Sequence, residues 1–149
     1  MRRLNNKGIS PVIATVILVA VAIAIAIAVA FWMTGIIGLF TRFEKIEITY
    51  IYAKAEDSTW IITLKVKNTG TADATIDNIF INGRPATEWT AFSSISPTEV
   101  TSGYTLSAGG EVEITITLNK GGEFVPGQSI EVKVHTASGQ EYPKLTNLP

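Results

Sequence analysis

Of the chain's 149 residues, 33 form one run, Ile9 to Thr41, without a single Asp, Glu, Lys, Arg or His; the 108 residues that follow suffice for one modest domain and leave no room for a second. The net charge of −1 divides into +3 on the first eight residues (Arg2, Arg3, Lys7) and −4 on the remainder, so the part outside the apolar run offers nucleic acid no clustered positive charge. Cysteine is absent, which excludes a disulfide framework, a thiolate metal site and a cysteine nucleophile.

The first element is a basic leader, Met-Arg-Arg-Leu-Asn-Asn-Lys-Gly, placed directly ahead of the apolar run. A secretory signal joins a basic start to an apolar stretch of about 7–15 residues, with the cleavage site behind it. Here the run is too long, and the processing signature lies in front, at Lys7-Gly8 followed by Ile9-Ser10-Pro11. Removal of residues 1–8 would leave the hydrophobic segment as the new N-terminus. The alternative is an uncut signal anchor in which Arg2, Arg3 and Lys7 hold the N-terminus inside.

Residues 9–43 read as one long hydrophobic helix. From Val19 to Ala30, Ile or Val alternates with Ala, a period that would suit a strand. A lone strand cannot satisfy its backbone in lipid, whereas a helix can. About 20 apolar residues cross the hydrocarbon core, so this segment exceeds what a span needs. In a helix, residues four apart share a face. Ala20, Ala24 and Ala28 then form one row and Ala22, Ala26 and Ala30 another, with Val19, Ile23, Ile27 and Val21, Ile25, Val29 between them. Small-residue rows let helix backbones approach closely, and branched rows fill the gaps. The candidate helix-packing residues are therefore Ala20, Ile23, Ala24, Ile27 and Ala28. A lipid-facing anchor uses the same composition. Phe31, Trp32 and Phe40 at the far end suit a membrane interface or packing within a polymer.

After Phe43 the period becomes two. Ile46, Ile48, Tyr50 and Tyr52 alternate with Glu47, Thr49, Ile51 and Ala53. Trp60 to Val66, Val112 to Leu118 and Ile130 to Val134 repeat the pattern, each predicting a strand with one buried and one wet face. A less regular strand is predicted over Ala74 to Ile81, with one or two short ones between Ala86 and Leu106. Glu56-Asp57-Ser58, Asn68-Thr69-Gly70, Asn82-Gly83, Ala108-Gly109-Gly110, Lys120-Gly121-Gly122 and Pro126-Gly127 punctuate them as turns. Six or seven strands so spaced predict an antiparallel sandwich of immunoglobulin-like type over residues 44–149. The fold class expected is α+β: a long N-terminal hydrophobic helix followed by an antiparallel immunoglobulin-like β-sandwich.

The stretch Lys7-Gly8-Ile9-Ser10-Pro11-Val12-Ile13-Ala14-Thr15-Val16-Ile17-Leu18 resembles the N-terminal region of archaeal type IV pilins and, more loosely, that of archaellum filament proteins. The resemblance covers roughly residues 1–40. It implies cleavage between Gly8 and Ile9 by a prepilin (class III signal) peptidase, with Lys7 and Gly8 as recognition residues. It also implies a subunit that waits in the cytoplasmic membrane until an assembly ATPase and membrane platform add it to an extracellular filament. There the helices form the core and the domains the surface. Bacterial type IV pilins keep a glutamate five residues after the cut; Ile13 stands there in this chain, so core assembly would rest on apolar packing. Lys67-Asn68-Thr69-Gly70 with Ala72-Asp73-Ala74 resembles the immunoglobulin-like modules of archaeal pilins and surface proteins.

Catalytic chemistry is not indicated. His135 is the only histidine and falls in an alternating strand as a surface residue, and no Gly-rich phosphate loop follows a strand. No cofactor and no metal centre is expected, although Glu56-Asp57 and the Asp73/Asp77 pair are acidic positions open to calcium. Trp89, Phe92 and Tyr104 lie in an aperiodic, Ser/Thr-rich stretch. They are either core plugs of a long connection or a contact with the next subunit or an adhesion target. Ser and Thr are numerous enough to carry O-linked sugars, and no Asn-x-Ser/Thr sequon exists. The leading expectation is a structural subunit of an adhesion-type pilus, not an enzyme. The alternatives are a monomeric signal-anchored surface protein and a minor pilin that shares every feature used here.

Overall fold

The structure is a computed structural model describing residues 11–40 and 42–149. The chain divides into two units, an N-terminal helix and a β-domain running from Arg42 to Pro149.

Helix α1 spans Pro11–Phe40. Pro11 occupies its first position, where proline's missing N–H has no intrahelical partner to lose. Two hydroxyls inside the apolar segment turn back onto the backbone. Thr15 Oγ1 donates to the Val12 carbonyl (2.8 Å), and Thr34 Oγ1 to those of Ala30 and Phe31 (3.0 Å each). No charged side chain interrupts α1, and its apolar residues from Val12 to Met33 are exposed. Arg42 to Lys45 lie outside any helix, so the helical segment stops short of residue 43; Ile9 and Ser10 lie outside the described residues.

The β-domain contains β1 (Ile46–Ala55), β2 (Thr59–Asn68), β3 (Ala74–Ile81), β4 (Arg84–Pro85), β5 (Phe92–Ser96), β6 (Tyr104–Leu106), β7 (Glu111–Asn119), β8 (Ser129–Thr136) and β9 (Glu141–Asn147). Two antiparallel sheets result, one in the order β1-β2-β7-β5 and the other β4-β3-β8-β9, with β6 also paired to β3. Their inward faces meet in one core. Ile62, Leu64, Val66, Ile114, Ile116 and Leu118 come from the first sheet, and Ile76, Ile79, Ile81, Ile130, Val132 and Val134 from the second. These are the apolar positions of the period-two runs, buried because alternate side chains of a strand point to one face.

Three elements differ from the sequence expectation, the shortest being β4, a two-residue strand at Arg84–Pro85 where none is predicted. In β1 the pairing with β2 slips between Ile48 and Tyr50. A bulge of one residue reverses the side on which every later side chain points. Ile46 and Ile48 are therefore buried, whereas Tyr50 and Tyr52 stand outside and Ile51 and Ala53 turn toward the core. Strand β9 was not among the six or seven expected. Its sequence, Glu-Tyr-Pro-Lys-Leu-Thr-Asn, does not alternate, because it is an edge strand most of whose side chains stay exposed. Proline is tolerated at such an edge.

Candidate functional site

Three places bear on what the chain does: the surface of α1, the connection between β3 and β7 that carries the aromatics, and the turn after β2. On α1, Ala20, Ile23, Ala24, Ile27 and Ala28 are all exposed. A shallow groove of about 380 Å³ is lined by Thr15, Val16, Val19, Ala20 and Ile23. A second, of about 210 Å³, is lined by Ile27, Ala30, Phe31 and Thr34. Ala20, Ile23 and Ile27 thus border grooves, while Ala24 and Ala28 line neither. Both grooves open where a small residue sits between branched ones, which is how a second helix is admitted closely. The span Pro11–Gly38 is long and apolar enough to cross a membrane by length and composition. Lys7, Gly8 and Ile9 lie outside the described residues.

Trp89, Phe92 and Tyr104 do not form one patch. Each is half-buried and packs against the core. The Trp89 indole N–H donates to the Ile81 carbonyl (3.1 Å). Its ring lies 5.0 Å from the ring of the buried Phe124, and the Arg84 guanidinium covers it at 4.4 Å. Phe92 opens β5 opposite Leu118 in one sheet, and Tyr104 opens β6 opposite Ile76 in the other.

The turn after β2 organises the end of the domain at which the chain enters. Asn68 is fully buried, and its amide donates to the carbonyls of Ala72 (2.8 Å) and Leu106 (3.0 Å) while accepting from the Gly70 N–H (3.0 Å). So held, the turn grips the incoming segment. Thr69 N–H donates to the Lys45 carbonyl (2.7 Å), and those of Thr71 and Ala72 to the Phe43 carbonyl (2.9 and 3.0 Å). In return the Phe43 N–H donates to Thr71 Oγ1 (3.2 Å). Sequence reading singled out Lys67-Asn68-Thr69-Gly70 as a fold signature; its grip on residues 43–45 depends on spatial neighbours that no local pattern reveals.

The outer faces of both sheets carry ion pairs. Lys65 and Lys67 meet Glu111 at 2.6 and 3.0 Å, and Lys133 meets Glu141 at 2.8 Å. Hydrogen bonds from Lys65 and Lys67 hold the Glu111 carboxyl below the usual carboxylate range, and Lys133 does the same for Glu141. The bond to Glu111 raises Lys65 and that to Glu141 raises Lys133. Tyr50 Oη donates to Glu113 (2.7 Å), which raises the phenol. His135 is half-buried, with Nδ1 2.6 Å from Asp77 Oδ1 and its ring 5.7 Å from that of Phe80. Of the acidic positions considered for calcium, Asp77 is thus engaged by His135, and Asp73 accepts the Ala108 N–H (3.1 Å). Among the described residues no group of three or more His, Asp or Glu side chains gathers to hold a metal ion.

No family model matches the chain, and no curated protein matches it. Solved structures do. The archaeal flagellum of Methanospirillum hungatei strain JF1 superposes with a TM-score of 0.46 at 18% identity, covering 94% of this chain and 94% of that one. The archaellum periplasmic stator protein FlaG from Sulfolobus acidocaldarius gives 0.45 at 17% identity, covering 69% of this chain and 99% of that one. The periplasmic chaperone SfaE follows at 0.42 and 14%, covering 71% of this chain and 55% of that one. The chain has distant structural similarity to archaeal filament proteins. At these scores the likeness does not separate them from the chaperone.

Proposed function

We propose that the chain is a structural subunit of an extracellular archaeal type IV, adhesion-type pilus that polymerises through α1. The observation that carries this reading is the surface of α1: 30 helical residues, none charged, with branched and small side chains exposed all round from Pro11 to Gly35. An apolar surface of that extent needs a lipid or protein environment, and rows of Ala between rows of Ile and Val suit several neighbouring helices better than one. The precursor waits in the cytoplasmic membrane, loses residues 1–8 to a prepilin peptidase at Gly8-Ile9, and is added to the filament by an assembly ATPase and platform. Copies of itself are its main partners. It has no catalytic role and no cofactor.

We read the β-domain as immunoglobulin-like. The orders β1-β2-β7-β5 and β3-β8-β9 correspond to strands ABED and CFG of that fold, with β4 in the place of C′. Such a domain serves as a compact outer shell whose loops face the surroundings. The test is the N-terminal residue and molecular mass of the protein taken from its native host. A chain beginning at Ile9 and recovered in sheared filaments supports the pilus reading. A chain beginning at Met1 and remaining with membranes replaces it by a signal-anchored surface protein.

A further inference from the structure

The segment Phe43–Lys45 is bound on two sides. On one, the turn at residues 69–72 takes the carbonyls of Phe43 and Lys45 through three backbone N–H groups. On the other, Glu44 Oε1 accepts hydrogen bonds from Thr136 Oγ1 and Ser138 Oγ, at the end of β8 and in the turn before β9. The first set belongs to the connection leaving β2, in the sheet that contains β1. The second belongs to the opposite sheet. Gly70 makes the first grip close: a β-carbon there would collide with the Phe43 carbonyl oxygen and lie 2.6 Å from the Lys45 nitrogen.

The direction of the strands gives these bonds a mechanical meaning. β1 starts at the entry end, opposite Asn68, and β9 leaves it and finishes at the far end, Asn147 lying opposite Ser129. Tension between residue 42 and the C-terminus therefore runs along β1, loading its ladder with β2 in shear. Shear requires several hydrogen bonds to break together. A strap loose at its first residues would instead let β1 tilt away and open bond by bond, starting at Ile46. Nine ladder pairs join β1 to β2, but the slip between Ile48 and Tyr50 interrupts them close to the loaded end. The bonds of Phe43–Lys45 lie ahead of that weak point.

We infer that residues 43–45, held by the 69–72 turn and by Thr136 and Ser138, form a mechanical clasp that delivers tension arriving at residue 42 to both sheets at once. The biological setting, a domain pulled outward from an anchored helix, rests on the filament reading; the clasp itself is a property of the β-domain.

The absence of cysteine allows two unique handles, Arg42→Cys and Pro149→Cys, in the full-length chain held in detergent micelles. Single-molecule pulling between them is expected to give one rupture that releases the whole domain. With Thr136→Val and Ser138→Ala added, the expected result is an earlier step at lower force, with the length of β1 and its turn, before the rest unfolds. Glu44→Gln keeps an oxygen acceptor and is expected to restore most of the single-step behaviour that Glu44→Ala loses. Urea denaturation without load checks that every variant is folded; should the double variant fail there, Glu44→Ala carries the comparison. Indistinguishable force distributions, or an early β1 step already in the handle-bearing parent, would overturn the clasp. Either result leaves the N-terminal processing test untouched.

Discussion

Gly70 and Phe43 meet backbone to backbone. Any side chain at residue 70 would press a β-carbon into the Phe43 carbonyl oxygen, the same oxygen that accepts the N–H groups of Thr71 and Ala72. The obstacle is backbone rather than a flexible side chain, so it cannot swing aside. A turn that looks like ordinary loop punctuation is therefore a packing contact.

Gly70→Ala is expected to destabilise the β-domain by about 1–3 kcal/mol, the usual cost of overpacking a tight site. Gly122→Ala is the control. Its β-carbon would enter open space, so its effect should stay within about 0.5 kcal/mol. Urea denaturation of both variants followed by tryptophan fluorescence makes the comparison. Equal midpoints would deny Gly70 its role.

Ala24→Leu tests the assembly surface. Ala24 is exposed in the isolated chain, so the substitution should leave the denaturation midpoint of the β-domain unchanged. In a filament it would force neighbouring helices apart. Electron microscopy of cells carrying the variant should show few or no filaments. Filaments in normal number and diameter would remove close packing at the Ala20/Ala24/Ala28 row from the proposal.

Trp89→Ala separates a core role from a contact role. The indole loses its bond to Ile81, its packing on Phe124 and the cover of Arg84. Because the residue is half-buried, the loss should be about 1–3 kcal/mol, below the roughly 3–5 of a fully buried aromatic. A contact residue alone would leave the urea midpoint where it was and weaken only assembly or adhesion.

Stability should form a plateau in pH with a shallow decline at each end. Glu111 and Glu141 titrate below their unfolded values. Their contribution is full above the unfolded carboxylate pKa and is lost as pH falls through the folded one. Lys65 and Lys133 are raised, so theirs is full below the unfolded lysine pKa and is lost as pH rises through the folded one. Glu111 and Glu141 are exposed and Lys65 and Lys133 half-buried at the surface, and added salt should flatten both declines. Urea midpoints against pH for the parent and for Glu111→Gln/Glu141→Gln give the measurement. The variant should lose most of the acid-side slope.

The helix and the inner strands were legible because their signals are local. A stretch of 33 residues without charge admits few backbone solutions, and the apolar positions of the alternation at Trp60–Val66, Val112–Leu118 and Ile130–Val134 are all buried, with Thr63 buried beside them in the inner strand β2. The edges were less legible. In β1 the apolar pattern Ile46, Ile48, Tyr50, Tyr52 reads straight through a bulge, since tyrosine is acceptable on either face of an edge strand. Strand β9 carries almost no burial pattern because so little of it is buried. Trp89, Phe92 and Tyr104 were recognisable as unusual, but whether an aromatic points into a core or out of it is set by chain far away in sequence.

By itself the sequence determined that a continuous apolar helix precedes a period-two domain, because hydrophobic spacing alone dictates which backbone can bury it. Only the tertiary structure decided that Glu44 reaches Thr136 and Ser138, that Gly70 abuts Phe43, and that Tyr50 and Tyr52 face outward. Those depend on which strands become neighbours and in what register, quantities fixed by the joint packing of two sheets and not by any single run of residues.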